Sequence, residues 1–274
     1  MNFFWLYDFS KWGLYLIIFI TFSSFSVLGY LVAKKPLTKY FHSKDIEIND
    51  VISHFTGIIG IFFGILIGLV AVGVWENYNS SQEKVDTESG NLLALYRDCS
   101  GLPSQVSKTI KEDIKIYIKN VIKKEWPQSK KGELPLAALD DFNKIQQDLI
   151  LFNPVTERDK IIYELCLNKF STLASSRRER VYATQNGLPP IVWFVTLIGC
   201  VVLISISWFF KTDTRLHIVM SLIVGILLST VIFMIVALDW PFRGTLSIDT
   251  GAFKYSLDRI KDSEARQNLF QLTN

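Results

Sequence analysis

The sequence contains few of the residues that build cross-linked or metal-binding sites. It has 3 cysteines and 3 histidines among 274 residues. Cys99, Cys166 and Cys200 lie far apart in the chain, and Cys200 falls inside an apolar run, so no disulfide framework and no zinc site is predicted. The histidines are isolated, with no His-Glu-x-x-His spacing, and no glycine-rich loop leads into a helix to hold phosphate. We therefore predict no metal, no cofactor and no enzymatic activity.

An excess of one charge is also missing. The formal net charge is only +3, and the basic residues are mixed with acidic ones, so no nucleic-acid partner is predicted. Strand-like alternation of apolar and polar residues does not persist over any stretch, which excludes a sheet. The predicted fold class is therefore all-α.

Apolar residues, by contrast, are abundant and occur in long blocks. They make up 49% of the chain, and four blocks are long enough to span a bilayer: 12–33, 55–74, 190–210 and 216–238. The first block has little positive charge before it and no obvious cleavage site, so we expect it to remain in the protein. The sequence predicts a polytopic protein with four transmembrane helices and the lipid bilayer as its partner. The lysines and arginines of the loops do not decide its orientation.

These blocks divide the chain into four predicted segments. They are the first two spans with an interfacial N-terminus, a helical soluble bundle continuing the second span, the last two spans, and an exit segment with a helical tail: 1–74, 75–188, 189–238 and 239–274. Within the bundle we expect a helix that Ser104 caps and Pro127 ends, a shorter one over 136–151, and a third that Asn153 and Pro154 begin.

The stretch from His54 to Asp98 carries the functional pattern. It contains no helix breaker, so one helix is predicted to leave the bilayer and continue into water. At about 100° per residue, one stripe of small residues favours close approach of two membrane helices: Gly57, Gly60, Gly64 and Gly68. Beside it lies a second, apolar stripe that ends in an acid: Ile58, Ile61, Ile65, Leu69, Val72 and Glu76.

Two interpretations of these stripes stay open on periodicity alone. If several copies of the helix surround an axis, the second stripe lines a hydrophobic constriction that ends in a ring of carboxylates. Alternatively, the glycines pack within one chain, the isoleucines face lipid, and Glu76 marks the water boundary.

A compact motif follows the fourth span. It consists of an acid, a helix stop, an aromatic residue, a base and a turn residue: Asp239, Pro241, Phe242, Arg243 and Gly244. A carboxylate at that depth is costly unless it is paired. Candidate partners for it are Arg243, Arg97, Arg177 and Arg180, and the alternative is a solvent-exposed helix end.

This motif resembles the Asp-Pro-Phe-Gly signature of bestrophin channels. The stretches FFGILIGLVAVGVWENY, LLALYRD, EWP at 125–127, the LPP before the third span, and LDWPFRG are together similar to the bestrophin-like membrane protein family. The resemblance covers most of the chain.

The resemblance implies a pentameric ion channel whose pore is lined by the second membrane helix. By position, the neck of that pore would consist of Ile65, Leu69 and either Val72 or Gly73. The soluble bundle and both termini would be cytoplasmic, in the inner (plasma) membrane of a bacterium. The permeant ion stays open, because hydrophobic necks favour weakly hydrated ions, often anions, whereas a Glu76 ring favours cations.

The chain also departs from the bestrophin pattern. Bulky aromatic residues are missing from the neck, Trp240 and Arg243 interrupt the compact signature, and no run of acids follows Gly244. We therefore predict no calcium gating. The alternative function is a membrane-anchored interaction or sensor protein that conducts no ions.

Overall fold

The protein is all-α in a computed structural model that describes residues 4–40 and 47–272, with side chains over 5–37 and 49–266. No strand occurs in these residues. The helices are α1 Lys11–Tyr40, α2 Glu47–Asp98, α3 Ser104–Asn120, α4 Trp126–Lys131, α5 Leu139–Leu151, α6 Glu157–Ala183, α7 Pro190–Ser207, α8 Thr214–Asp239 and α9 Gly251–Leu272.

Four of these helices, α1, α2, α7 and α8, are long and apolar enough to cross a membrane, which confirms the predicted spans. The helix expected from His54 to Asp98 is present and begins earlier, at Glu47. Most of the predicted loop between the first two spans, 41–46, lies outside the described residues.

The chain forms two compact units, and α2 contributes residues to both. The membrane unit comprises residues 1–78, 187–239 and 244–246, and the soluble unit comprises 79–186, 240–243 and 247–274. The four-segment division expected from the sequence stays a prediction.

The membrane unit has a narrow apolar core in which α1 packs on α8. Glycines allow its helices to approach closely. A Cβ atom on Gly29 would overlap the Trp208 ring, and one on Gly199 would overlap the Phe63 ring. Because neither position has room for a larger residue, close packing fixes α7 against both α1 and α2.

The soluble unit is built around residues 79–98 of α2, which we call its aqueous half. Its core draws on α2, α3, α5, α6 and α9 and includes Leu92, Leu95, Ile110, Ile114, Ile145, Leu149, Leu173 and Phe253, all fully buried. Within this core, α3 packs on α5.

The expectation that Pro127 ends the helix begun at Ser104 is wrong. A π-helical turn, Val121–Glu125, carries α3 directly into α4, and Pro127 lies in the first turn of α4, where a missing N–H is tolerated. The helix ends instead at Gly132, whose φ of 74° is the left-handed conformation that glycine favours.

Two predicted helix starts are also wrong. Pro103 occupies the N-cap position of α3, so Ser104 is its first residue and does not cap it. Helix α6 begins after Thr156, beyond Asn153. The Thr156 hydroxyl accepts from the Asp159 N–H at 3.0 Å, and the Asp159 carboxylate accepts from the Thr156 N–H at 3.3 Å. This reciprocal capping box satisfies two backbone donors and so fixes the helix start there.

Candidate functional site

The membrane half of α2, residues 55–74, is mostly exposed in the single chain. Between 55 and 74, only Phe63, Ile67 and Val74 are buried. The predicted apolar stripe lies together on the exposed side: Ile58 is 53% exposed, Ile61 67%, Ile65 60%, Leu69 69% and Val72 49%, and Glu76 is exposed beyond them. Their assignment as pore-lining residues stays a prediction.

The α2 glycines border this stripe and contact nothing across the helix surface. A Cβ atom at Gly57, Gly60, Gly64, Gly68 or Gly73 would meet no atom within 4 Å. The interpretation in which these glycines pack within one chain is therefore wrong. They leave a helix surface that no other part of the described chain covers.

Asp239 closes the membrane unit where α8 ends. Its side chain is 4% exposed, so the alternative of a solvent-exposed helix end is wrong. Oδ1 accepts from the Leu188 N–H at 2.5 Å, and Oδ2 accepts from the Trp193 indole N–H at 3.1 Å. Both donors are neutral, so the expected arginine partner is also wrong among the residues described. The carboxylate instead ties the segment before α7 and the first turn of α7 to the end of α8.

The rest of the exit motif is built into well-defined contacts. The Phe242 ring packs on Trp126 with centroids 5.8 Å apart. The Arg243 guanidinium lies over the Trp240 ring and donates to the Lys131 carbonyl at 2.8 Å. The Pro241 carbonyl accepts from the Ile248 N–H at 2.8 Å. Gly244 has a φ of 75°, which confirms its predicted role in a turn.

The soluble unit contains a buried group of charges that sequence reasoning missed. We call it the charge cluster, and it comprises Glu88 from α2, Tyr117 from α3, Glu125 from the π-helical turn, and Arg177 and Arg180 from α6. Arg180 donates to Glu88 at 2.5 Å and to Glu125 at 2.7 Å, while Arg177 donates to Glu125 at 2.6 Å. The Tyr117 hydroxyl donates to Glu88 and accepts from Arg177.

The charges of this cluster compensate one another. Burial alone would raise the pKa of Glu125, but the Arg180 and Arg177 guanidinia outweigh it, so the pKa of Glu125 is lowered. Burial would likewise lower the pKa of Arg180, but Glu88, Tyr117 and Glu125 together more than offset it, and the pKa is raised well above its ordinary value. The hydrogen bonds between the two carboxyl groups and the two guanidinia compensate their burial, which makes the cluster a rigid structural centre.

A periodicity signal for the cluster was present in the sequence. Glu88 follows Val85 by three residues and precedes Leu92 by four, and both neighbours are fully buried. A charge on such a helix face needs a buried partner of opposite sign. Arg180 likewise shares a helix face with a buried residue, Leu173, which lies seven residues, or two helical turns, before it on α6.

Two of the cysteines meet in the soluble unit, although they are distant in sequence. The Cys99 and Cys166 sulfurs are 3.6 Å apart, and both thiols are free and fully buried. The hydrogen bond to Cys166, together with burial, raises the pKa of Cys99. In the described part of the chain, no three His, Cys, Asp or Glu side chains converge as metal ligands.

Comparison with known proteins places this architecture in a family. A crystal structure described as that of a membrane protein superposes with a TM-score of 0.62, covering 92% of this chain and 97% of the other at 10% identity, which shows a shared fold. No curated protein matches the chain. The family model for the Bestrophin-like domain matches residues 20–253. The chain, an all-α integral membrane protein with four transmembrane helices, therefore belongs to the Bestrophin-like family.

Proposed function

We propose that the protein is a homo-oligomeric, pentameric ion channel whose pore is lined by the exposed apolar stripe of α2. The pore-lining residues are Ile58, Ile61, Ile65, Leu69, Val72, Gly73 and Glu76. Of these, Ile65, Leu69 and Val72 or Gly73 form the neck. The soluble unit and both termini lie in the cytoplasm, and the membrane is the plasma membrane of a bacterium.

The observation that carries this proposal is the row of open glycines beside the stripe. Glycine in a helix interior costs about 1 kcal/mol relative to alanine. A helix surface that faced only lipid would gain nothing in return for Gly60, Gly64 and Gly68. Close approach of a second α2 does repay that cost, because small residues let two membrane helices come into contact. With the glycines against a neighbouring copy, the adjacent stripe turns toward the axis.

The stripe then sets how ions pass. Apolar side chains at Ile65 and Leu69 make a constriction that admits weakly hydrated ions more easily than strongly hydrated ones. A ring of Glu76 carboxylates at its end raises the local cation concentration. The two elements act in opposite directions on selectivity, so the sign of the permeant ion is decided by which of them controls the barrier.

Native mass spectrometry of the protein in nanodiscs tests the assembly, and bilayer recording tests the pore. Leu69→Ser should increase open probability or conductance several-fold, because a hydroxyl wets the constriction. Leu227→Ser on α8 is the matched control, since Leu227 is 65% exposed and Leu69 is 69% exposed. It should leave the currents unchanged. A monomer or dimer, or equal effects of the two substitutions, would contradict a pore on α2.

A membrane-anchored interaction protein is the second candidate, and one observation favours it. The soluble unit exposes large apolar side chains at the end of α5 and the start of α6, with Leu151 at 79%, Val155 at 86% and Ile161 at 68%. Exposed apolar patches mark interaction surfaces. This candidate predicts that Leu69→Ser lowers stability without producing current, so the same recording separates the two functions.

A further inference from the structure

The soluble unit contains a cavity that lies outside the exit motif and touches the charge cluster only at Arg177. Its volume is about 320 Å³, and it lies between the loop before α5, the first turns of α5 and the second half of α6. Ligand pockets range from roughly 300 to 1,000 Å³, so this one suits a small molecule.

The walls of the cavity are apolar and well supported. Leu134, Leu136 and Leu139 line one side and are 45%, 44% and 38% exposed, although leucine is normally buried. Phe142 forms part of the lining, and its ring stacks on Phe170 with centroids 4.9 Å apart. The cavity therefore offers a preformed apolar surface that is open to water.

Hydrogen-bond donors stand at the same cavity without acceptors. Arg178, Asn143 and Tyr182 all line it and are exposed, and their side chains bind no other group in the part of the chain that the structure describes. Arg177 also lines the cavity, but it is engaged by Glu125 and Tyr117. No acidic side chain is among the described lining residues.

We propose that this cavity binds a small amphipathic carboxylate, with its acyl chain against the leucines and its carboxylate on Arg178. An uncompensated guanidinium favours an anion and matches the two oxygens of a carboxylate. The amide of Asn143 and the hydroxyl of Tyr182 add neutral donors. The apolar walls select a molecule with a hydrocarbon body over a small inorganic anion. This site is independent of whether α2 conducts ions.

Calorimetric titration of the full chain in nanodiscs with sodium octanoate tests the proposal, with empty nanodiscs as the blank for lipid partitioning. The wild type should bind octanoate saturably. Arg178→Gln should weaken binding at least about tenfold, since it removes a charged hydrogen bond. Arg158→Gln, on the exposed surface of the same helix, is the matched control and should change nothing. Octanol should bind more weakly and should not respond to Arg178→Gln.

A second variant keeps the test independent of charge. Leu139→Trp should fill the cavity and abolish octanoate binding while the thermal unfolding midpoint stays close to that of the wild type. Equal titrations of protein and empty nanodiscs would overturn the proposal, as would equal affinity in the Arg178→Gln and Arg158→Gln variants. Dissociation of the oligomer by Leu139→Trp, seen in native mass spectrometry, would also overturn it, because the leucines would then be covered by a second copy.

Discussion

The two halves of α2 bury their residues in opposite ways, although they belong to one uninterrupted helix. Between 55 and 74, the membrane half buries only Phe63, Ile67 and Val74. The aqueous half buries a residue at almost every turn, including a charged one: Ser81, Val85, Glu88, Ser89, Leu92, Leu95 and Tyr96.

The difference follows from the solvent. In water, an apolar helix face must be covered by other helices, so the aqueous half is enclosed by a core. In lipid, an exposed isoleucine costs nothing, and helices associate through close packing of small residues. The exposed side of the membrane half is therefore free of packing within the chain, while the aqueous half is committed to the stability of its own unit.

The largest effect should come from breaking the charge cluster. Arg180→Met leaves the buried Glu88 carboxyl without its guanidinium partner, so the free energy of unfolding of the soluble unit should fall by about 3 to 5 kcal/mol. Denaturant unfolding in nanodiscs measures it. Arg178→Met, on the exposed side of the same helix, should stay within about 0.5 kcal/mol of the wild type. A loss below about 1 kcal/mol for Arg180→Met would mean that the cluster takes up water.

Glycine replacements sharpen the contrast between packed and open helix surfaces. Gly199→Leu places atoms in the Phe63 ring, so the membrane unit should lose about 1 to 3 kcal/mol of stability. Gly64→Leu meets open space in the subunit and should leave its stability unchanged, but it should shift native mass spectra from the oligomer toward the monomer. Equal loss of subunit stability in both variants would show that the two glycines do not differ.

Reversing the charge of Glu76, at the end of the apolar stripe, tests whether this residue influences the ion selectivity of the proposed pore. Glu76→Lys should move the reversal potential toward that of an anion-selective pore, by a measurable part of the about 59 mV available in a tenfold salt gradient. Glu179→Lys, an exposed acid on α6, is the control and should have no effect. An unchanged reversal potential in Glu76→Lys would show that Glu76 does not form a carboxylate ring in the pore.

Acid should weaken the aqueous half before the membrane half. The pKa of Glu125 in the folded protein is below its ordinary 4.5, because its arginine contacts outweigh burial. Its contribution is thus complete above about pH 4.5 and is lost as the pH falls through the folded pKa. Unfolding measured from pH 7 to pH 3 should show this decline. Glu125→Gln should start from lower stability at pH 7 and decline less; an equally steep decline would assign it to other carboxylates.

The smallest effect concerns Asp148, which lies beside Asp113 in the α3–α5 pair. Proximity to the Asp113 carboxyl, with burial, raises the pKa of Asp148, so its ionised form destabilises the fold at neutral pH. Asp148→Asn should therefore add a few tenths of a kcal/mol, since partly exposed charges are screened. Thermal unfolding at pH 7 should show the gain, and at pH 3 it should vanish. A loss of stability at pH 7 would contradict this account.

Local patterns predicted the helices well and the helix ends poorly. Four apolar blocks and an unbroken stretch from His54 to Asp98 were sufficient for the spans, because hydrophobicity and the lack of breakers act residue by residue. The start of a helix depends on which of several nearby polar residues caps its first backbone N–H groups. Thr156 rather than Asn153 is the N-cap of α6, because only Thr156 has an acidic residue, Asp159, three positions later to complete a capping box.

The candidate site was likewise predictable where local periodicity decides and unpredictable where packing decides. Periodicity placed Ile58 through Glu76 on one stripe without any tertiary information, because the helical repeat alone fixes which residues share a face. It could not state whether Gly60 and Gly64 were covered, since that depends on where α7 and α8 pack.

The sequence by itself determined a four-span, all-α membrane protein with a long second helix, since bilayer thickness and helical period leave few alternatives. Only the tertiary structure decided the partners of the buried charges. Asp239 accepts hydrogen bonds from the Leu188 N–H and the Trp193 indole N–H. Arg180 donates to Glu88, which is 92 residues away in the chain. Such pairings depend on which helix faces meet, and that is set by packing of the whole unit.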